Sequence, residues 1–421
     1  MTQTTMKLWN KNFIMLTIGQ IVSLFANAIL RYALPLHVFL VTGSPELMGR
    51  VMALSIIPMI ILTPFGGALA DRVNKKWMIV FLDFITAAIT LFYLWTIGFL
   101  SAVPIVVITL MLLQSIKTMM TSATDSSVPL IVPSDELVRA NSVTMTINAL
   151  SMFLGPIVGG VLMGAFELEV ILIMSGICLA LAAVMELFIH IPSVKQESSG
   201  NMFADIIGDI FDSFKFAIKS KSILAKILLI VCLTNLLVSS ITFVGLPVVI
   251  LRDLGMSLHM QGISMGFAGV GGLVGGIVAG IIGQKLRIQK THWVLIITGI
   301  LLLPLSLIFF ITEYTFIALC LLTAVMFLIA ALFSIFTIQV MTFVQLVTPV
   351  ELLGKMMGLV MLAGLVGLPL GNWLLGFLFE NLAEHMAIVF FIAAILVVLI
   401  ALWSRKQFKG IPTESKAEDN Q

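Results

Sequence analysis

Twelve long apolar segments constrain the fold of this chain more than any other feature of its sequence. Each is long enough to cross the roughly 30 Å hydrocarbon core of a bilayer as an α-helix that rises about 1.5 Å per residue. Because 60% of the residues are hydrophobic and only 10% are charged, a water-soluble domain could not bury so much apolar surface. The sequence therefore predicts an all-α membrane protein, with spans at approximately Phe13–Val41, Leu47–Ala70, Trp77–Phe99, Val103–Asp125, Val143–Ala165, Val170–His190, Ile223–Ile250, Met260–Ile282, Trp293–Ile311, Phe316–Phe343, Met357–Leu378 and Met386–Trp403.

Lysine and arginine residues concentrate on one side of the predicted membrane. When the N-terminus is placed in the cytoplasm and the sides alternate, 19 of the 23 basic residues fall on the cytoplasmic side. Arg31 and Lys117 lie inside spans, and only Arg50 and Arg252 fall on the opposite side. This asymmetry predicts twelve transmembrane helices with both termini in the cytoplasm. The cytoplasmic set is Lys7, Lys11, Arg72, Lys75, Lys76, Arg139, Lys195, Lys215, Lys219, Lys221, Lys226, Lys285, Arg287, Lys290, Lys355, Arg405, Lys406, Lys409 and Lys416.

A polar stretch divides the chain into two halves of six spans each. Within it, apolar residues from Phe203 to Phe214 recur at helical spacing between acidic ones, which predicts an amphipathic helix on the cytoplasmic face. The predicted division is a first half at 1–191, a linker at 192–222, a second half at 223–404 and a cytoplasmic tail at 405–421. The halves resemble each other, since the fourth span is followed by VPLIVPSDELVRANSV and the tenth by VQLVTPVELLGKMMGL. Such a duplication is typical of transporters with a substrate site near the midplane.

Two short motifs carry a resemblance to a known family. The second span ends in GGALADRVNKKW, residues 66–77, and the fifth contains LGPIVGGVL, residues 154–162. These resemble the loop motif and the antiporter motif of the major facilitator superfamily, at the places where that family has them. Asn74 stands where the loop motif has its second glycine, and Asn also tolerates a positive φ. With the opening IGQIVSLFANAIL, the chain looks most similar to the macrolide-efflux branch of drug–proton antiporters.

The resemblance implies a role for each motif. The loop motif would form a charged network that latches the outward-facing state. The alternative is that these charges are solvated and only determine the orientation of the chain in the membrane. The glycines and proline of the fifth span would give a bent helix with a smooth face for close packing, matched by Gly266, Gly269, Gly272, Gly276 and Gly280 of the eighth span. Generic glycine enrichment in membrane helices is the alternative there. The latch residues are Gly67, Asp71, Arg72, Lys75, Lys76 and Asp125; the antiporter-motif residues are Gly155, Pro156, Gly159 and Gly160.

Ionisable residues inside the spans are the sharper functional hypotheses, because a charge in the membrane is costly unless it is partnered or hydrated. Asp83 and Lys117 have similar estimated depths on neighbouring spans, which predicts an ion pair. The alternative is that Asp83 carries protons while Lys117 or Arg31 faces substrate. Glu186 is a further embedded candidate. The residues expected to line a substrate or proton cavity are Arg31, Asp83, Gln114, Lys117, Asn148, Asn235 and Gln339.

The predicted function is a secondary active exporter in a bacterial plasma membrane. It would extrude amphipathic, macrolide-like drugs in exchange for protons by alternating access, as a monomer in the lipid bilayer. No phosphate-binding glycine loop occurs, so we expect no ATP-driven step in this chain, and we expect no enzyme activity, cofactor, metal or nucleic-acid partner. Export of an endogenous metabolite, siderophore or lipid is one alternative, and a non-transporting membrane receptor or scaffold is another.

Overall fold

The computed structural model describes most of the chain. The described ranges are 8–97, 102–192, 208, 215, 222–282, 290–310, 314–349 and 352–408. The predicted amphipathic helix of the linker and most of the predicted C-terminal tail lie outside these ranges. Side chains at 67, 68, 70–72, 102, 138, 149, 152, 153, 222, 354, 355 and 408 are also outside the description.

Long helices account for most of the first half. They are α1 (Lys11–Thr42), α2 (Pro45–Arg72), α3 (Lys75–Thr96), α4 (Ala102–Ile131), α5 (Leu137–Ala165) and α6 (Leu168–Glu186), with a short 3₁₀ turn at Ser134–Glu136 before α5. α4 continues six residues past the predicted span end at Asp125, and α5 begins before the predicted start at Val143. Hydropathy marks only the apolar middle of a helix, whereas backbone hydrogen bonding continues into its polar ends.

The second half is also helical, but its first span is irregular. This segment, α7, starts as Ser222–Thr234 and continues through π-helical turns at Asn235–Ser239, Ile241–Gly245 and Val249–Asp253. The π-helix occurs mostly as a single turn inside an α-helix, so three such turns in one span are exceptional. The remaining helices are α8 (Leu258–Ile282), α9 (Thr291–Ile308), α10 (Thr315–Val347), α11 (Leu353–Asn381) and α12 (Met386–Phe408).

The predicted all-helical membrane architecture is confirmed. Within the described ranges, eleven helices are long and apolar enough to cross a bilayer, and Leu154–Ala165 of α5 is a shorter apolar helix. The two basic residues predicted on the far side are each paired locally. Arg50 pairs with Glu46, and Arg252 donates from Nε to Asp253 Oδ1 at 2.7 Å and from Nη1 to the Phe379 carbonyl at 3.0 Å. Under the predicted topology, these contacts would offset the positive charge of the two exceptions.

Side-chain caps set the starts of the first three helices. Asn10, Ser44 and Asn74 each accept a hydrogen bond from the backbone N–H three residues ahead, at 3.0, 3.2 and 3.3 Å. These bonds satisfy donors that the helix itself leaves free. At Asn74 the φ angle is −68°, so this residue replaces the motif glycine by capping α3, and the positive φ considered from the sequence is not adopted.

The chain forms two compact units. The first comprises Met1–Ile206 and Ser257–Gly266, and the second comprises Ile207–Met256 and Phe267–Gln421. In the first unit α1 packs on α5 and α6, α2 on α4, and α3 on α4 and α6. In the second unit α9 packs on α10 and α12, and α7 packs on α11. The N-terminal part of α8 thus belongs with the first unit; the domain boundaries drawn from the sequence stay a prediction.

Candidate functional site

A polar stripe runs along α1 in the first unit. Ser23, Asn27 and Arg31 follow one another at four-residue spacing, which places them on one helix face over about 12 Å. The Ser23 hydroxyl donates to Asp83 Oδ1 on α3 at 2.7 Å and lies 3.7 Å from the Met120 sulfur on α4. Asn27 Nδ2 donates to the Ser23 carbonyl at 2.9 Å. The stripe therefore joins α1 to α3 and α4 through buried polar contacts.

Two carboxyl groups meet where α1, α3 and α6 pack together. Asp83 of α3 is 0% exposed and Glu186 of α6 is 1% exposed. Their carboxyl groups lie within hydrogen-bonding reach of each other. Gly19 of α1 leaves the room for this contact, because a Cβ there would stand 2.9 Å from Glu186 Oε1 and 3.0 Å from its Cγ. Apart from the contact between them, Asp83 Oδ2 and both Glu186 oxygens have no hydrogen-bond partner among the described residues.

The predicted ion pair between Asp83 and Lys117 is wrong. Asp83 accepts from Ser23 and faces Glu186, and no salt bridge joins it to Lys117 in the described ranges. The prediction compared only the membrane depths of Asp83 and Lys117 on two neighbouring helices. It did not include α1 and α6, which pack against the same stretch of α3 and supply the actual partners.

Lys117 instead lies within electrostatic range of Arg31. The two half-buried basic side chains lie on α4 and α1, which pack against each other. Neither has an acidic partner among the described residues, and Arg31 Nε is buried without a hydrogen bond. Like charges in a medium of low dielectric constant repel more strongly than in water. The arrangement leaves a local excess of positive charge that a bound anion would offset.

The other predicted cavity residues are distributed over both units. Gln114 is buried, and its Oε1 has no hydrogen-bond partner among the described residues. Asn148 donates to the Thr144 carbonyl of its own helix at 3.0 Å. Asn235 begins the first π turn of α7, donates to the Val231 carbonyl at 3.0 Å and accepts from Ser239 Oγ at 3.2 Å. Gln339 accepts from Thr291 Oγ1 at 2.8 Å and is buried. The described hydrogen bonds of Asn148, Asn235 and Gln339 are therefore local or between neighbouring helices.

The loop motif is described only in part. The packing around Gly67 and the side chains of Asp71 and Arg72 lie outside the description, so the charged latch stays a prediction. Gly66 faces Ser122 of α4, whose Cβ would be 3.2 Å from an added Cβ. Lys75 is buried at the start of α3, Lys76 stands 5.6 Å from the centre of the Trp77 ring, and Asp125 is exposed on α4. The close approach of α2 and α4 at Gly66 agrees with the glycine content of the motif.

The glycines of the fifth span pack closely in the first unit. An added Cβ at Gly155 would overlap Ala28 of α1, and one at Gly159 would stand 2.8 Å from the Tyr32 ring. Gly160 faces a different neighbour, since its Cβ would be 2.5 Å from the Gly262 Cα at the start of α8. Pro156 lies inside α5 among these contacts. The motif thus gives α5 two smooth surfaces, one for α1 and one for the N-terminal part of α8.

The close-packing glycines of α8 differ from those expected. Gly266 meets Ile157 as the predicted face requires. An added Cβ at Gly280 would have no described atom within 4 Å, and one at Gly276 would have none nearer than 3.8 Å. Gly271 and Gly275 take the tight positions instead, against the backbone of Phe327 and Ala331 on α10. On α11, Gly367 and Gly371 approach the backbone of α7 in the same manner, at Cys232 and Leu236. Spacing alone did not identify which glycine face had a partner.

Sequence reasoning missed the partners of Asp83. Ser23 and Gly19 lie one turn apart on α1, and a small residue followed by a hydroxyl residue at this spacing is a weak signal in any membrane helix. Glu186 stands at the end of its apolar segment, where a charge is ordinary. Only the packing of α6 against α1 and α3 reveals that Glu186 is buried beside a second acid.

These features define a membrane transport protein built from helical units rather than an enzyme. The chain belongs to the Major Facilitator Superfamily, which it matches over residues 16–372. Macrolide efflux protein A of Streptococcus pyogenes is 27% identical over 188 residues, which is 44% of this chain and 46% of that protein. Macrolide efflux protein A of Enterococcus faecalis is 27% identical over 154 residues, which is 35% of this chain and 47% of that protein. The matched region thus spans about half the length of these curated relatives.

Solved structures agree on the fold. A crystal structure of the nucleoside transporter NupG covers 96% of this chain and 100% of its own, with a TM-score of 0.76 at 16% identity. A crystal structure of the D-xylose–proton symporter covers 95% of this chain and 97% of its own, with a TM-score of 0.71 at 15% identity. At such low identity these similarities establish the major facilitator fold and carry no information about substrate.

Proposed function

We propose that this protein is a proton-coupled exporter of amphipathic, macrolide-like compounds in a bacterial plasma membrane. The observation that carries the proposal is the sequence similarity to two macrolide efflux proteins in a chain that belongs to a transporter superfamily. The substrate and its direction of movement are taken from those relatives. We expect the exporter to act as a monomer. The distribution of basic residues predicts that both of its termini lie in the cytoplasm.

Proton coupling is supported by the buried acids. A carboxyl group in an apolar setting binds and releases protons without needing a permanent counter-ion, which suits a proton-driven cycle. Asp83 is such a group, and the polar stripe of α1 connects it to the region of Asn27 and Arg31. Alternating access then requires helices to shift against each other. The glycine contacts of α5 with α1 present little side-chain obstruction to such shifts.

The proposal is tested by drug susceptibility and by flux. An efflux-deficient bacterial host carrying the gene should survive higher concentrations of erythromycin than the same host with an empty vector. Inverted membrane vesicles should accumulate radiolabelled erythromycin when a proton gradient is imposed, and a protonophore should abolish that accumulation. Undiminished accumulation after the protonophore would exclude proton coupling, and no difference in susceptibility across chemically varied macrolides would exclude the substrate class.

Export of an anionic metabolite is the second candidate. Arg31 and Lys117 favour it, because two half-buried cations without an acidic partner would stabilise a bound anion more than a cationic drug. In vesicles that transport erythromycin, competition by amphipathic anions and by amphipathic cations of similar size separates the two candidates. Stronger competition by the anions would favour the metabolite exporter. Stronger competition by the cations would favour the drug exporter.

A further inference from the structure

We infer that Asp83 and Glu186 act as one unit that holds a single proton and is the proton-binding site of the transport cycle. This inference rests on the proposed proton coupling. It assigns a partner and a role to Glu186, which the sequence marked only as a further embedded candidate. It also replaces the single aspartate considered from the sequence with a pair supplied by two helices.

The geometry allows one proton to join the two carboxyl groups by a hydrogen bond. Asp83 Oδ1 already accepts from the Ser23 hydroxyl at 2.7 Å, which stabilises Asp83 as the charged partner. Asp83 Oδ2 and the two Glu186 oxygens have no other partner among the described residues. When Glu186 gains a proton, an O–H bond forms on one of its oxygens, and that O–H donates to Asp83 Oδ2. On release, the O–H bond breaks and the proton passes to water.

Electrostatics excludes the doubly charged state as a stable resting form. Two carboxylates in contact repel each other, and neither is ion-paired with a basic side chain in the described part of the chain. Removing two such charges from water costs far more than removing one. The state with one proton shared between the two carboxyl groups is therefore the form that this geometry favours.

No basic side chain of the packed helices forms a salt bridge with either acid in the described ranges. On α1, Lys11 and Arg31 are eight residues from Gly19 and Ser23 respectively, or about 12 Å along the axis. On α4, Lys117 is three residues from Met120, the residue that contacts Ser23. The remaining groups are Lys75, Lys76 and Tyr93 on α3, Tyr32 and His37 on α1, Asp125 on α4, Glu169 on α6, and His190 just after α6. Arg31 and Lys117 are thus the basic residues nearest to the pair along the polar stripe.

The first experiment does not require a substrate. The purified protein is reconstituted in lipid, and infrared difference spectra are recorded between acidic and alkaline buffer. The wild type should show the carbonyl band of a protonated carboxyl group in an apolar setting. Asp83→Asn and Glu186→Gln should each remove or displace it. Glu167→Gln is the matched control, because Glu167 is an exposed acid at the start of α6 whose side chain caps no backbone group. A band that neither variant alters would overturn the inference.

Two further variants keep the inference testable if the neutral variants fold poorly. Ser23→Ala keeps both acids but removes the donor to Asp83, so the band should persist at a different frequency; an unchanged frequency would contradict the assigned contact. The double exchange Asp83→Glu with Glu186→Asp keeps two carboxyl groups on the same helices and should retain a protonated band. Loss of the band in this variant would mean that the signal does not come from the pair.

The second experiment links the pair to transport. In proteoliposomes, Asp83→Asn and Glu186→Gln should lose accumulation of erythromycin driven by a pH gradient, yet retain exchange of labelled for unlabelled erythromycin, which needs no net proton movement. Retained gradient-driven accumulation in either variant would refute the role in coupling. If wild-type protein transports no macrolide while the infrared result holds, the proposed substrate fails and the proton-binding pair stands.

Discussion

Two glycines on one helix give a sharp test of the packing. Gly275 and Gly280 both lie on α8, five residues apart, in the second compact unit. A Cβ at Gly275 would stand 2.7 Å from the carbonyl carbon and the Cα of Ala331 on α10, and closer still to its oxygen. These are backbone atoms and cannot rotate away. A Cβ at Gly280 would meet no atom of the described residues within 4 Å.

The expected magnitudes follow from this difference. Replacing glycine by alanine inside a helix gains about 1 kcal/mol of helix stability at either position. Gly275→Ala also incurs the cost of overpacking, about 1–3 kcal/mol, with the upper part of that range expected because α8 and α10 must separate. The gain is common to both variants, so they should differ in free energy of unfolding by about 1–3 kcal/mol. Gly280→Ala should be as stable as the wild type or more stable.

Thermal unfolding in detergent measures the difference. Both variants are purified by the same protocol, and the fraction that remains monodisperse on size-exclusion chromatography is followed after heating. Gly275→Ala should lose its monodisperse peak at a lower temperature than the wild type, and Gly280→Ala should not. Equal stability of the two variants would refute the close approach of α8 and α10 at Gly275.

Three further predictions address topology and charge. In a background without native cysteines, Glu46→Cys should react with an impermeant thiol reagent in intact cells and Arg139→Cys should not; the reverse pattern would invert the topology that the basic residues predict. Asp83→Asn and Lys117→Met should have additive effects on thermal stability, within about 0.5 kcal/mol, because the two side chains form no ion pair; partial recovery in the double mutant would restore the sequence-based pairing. Arg31→Gln should weaken inhibition of transport by amphipathic anions relative to cations, and unchanged relative inhibition would place the Arg31 charge away from substrate.

The membrane architecture could be predicted from the sequence because it depends on local properties. Apolar length determines which segments can span a bilayer, and the bias in basic residues supports the number of spans. The helix caps at Asn10, Ser44 and Asn74 are equally local, since each bond joins residues three apart. The helix ends were less well predicted, as at Ile131 and Leu137, because a helix extends beyond its apolar middle.

The partners inside the membrane could not be predicted in the same way. Asp83 was correctly singled out as a buried acid, but the sequence cannot say whether its nearest polar neighbour comes from α1, α4 or α6. The structure selects α1 and α6, which contribute Ser23 and Glu186. The same limit applies to the glycines of α8, where Gly271 and Gly275 have close neighbours and Gly280 does not. Choosing among helix faces requires the tertiary packing itself.

Helix α1 connects the two features that the sequence treated separately. One face carries Gly19 and Ser23 toward the carboxyl pair. The opposite face, about 180° around the helix, carries Ala28 and Tyr32 against Gly155 and Gly159 of the antiporter motif. A change of charge at the pair alters the hydrogen bond that Ser23 donates, and it acts on the same rigid helix that rests on the glycine surface of α5. Substitutions at Gly159 and at Ser23 should therefore both alter coupling between protons and substrate, although the two residues have no contact with each other.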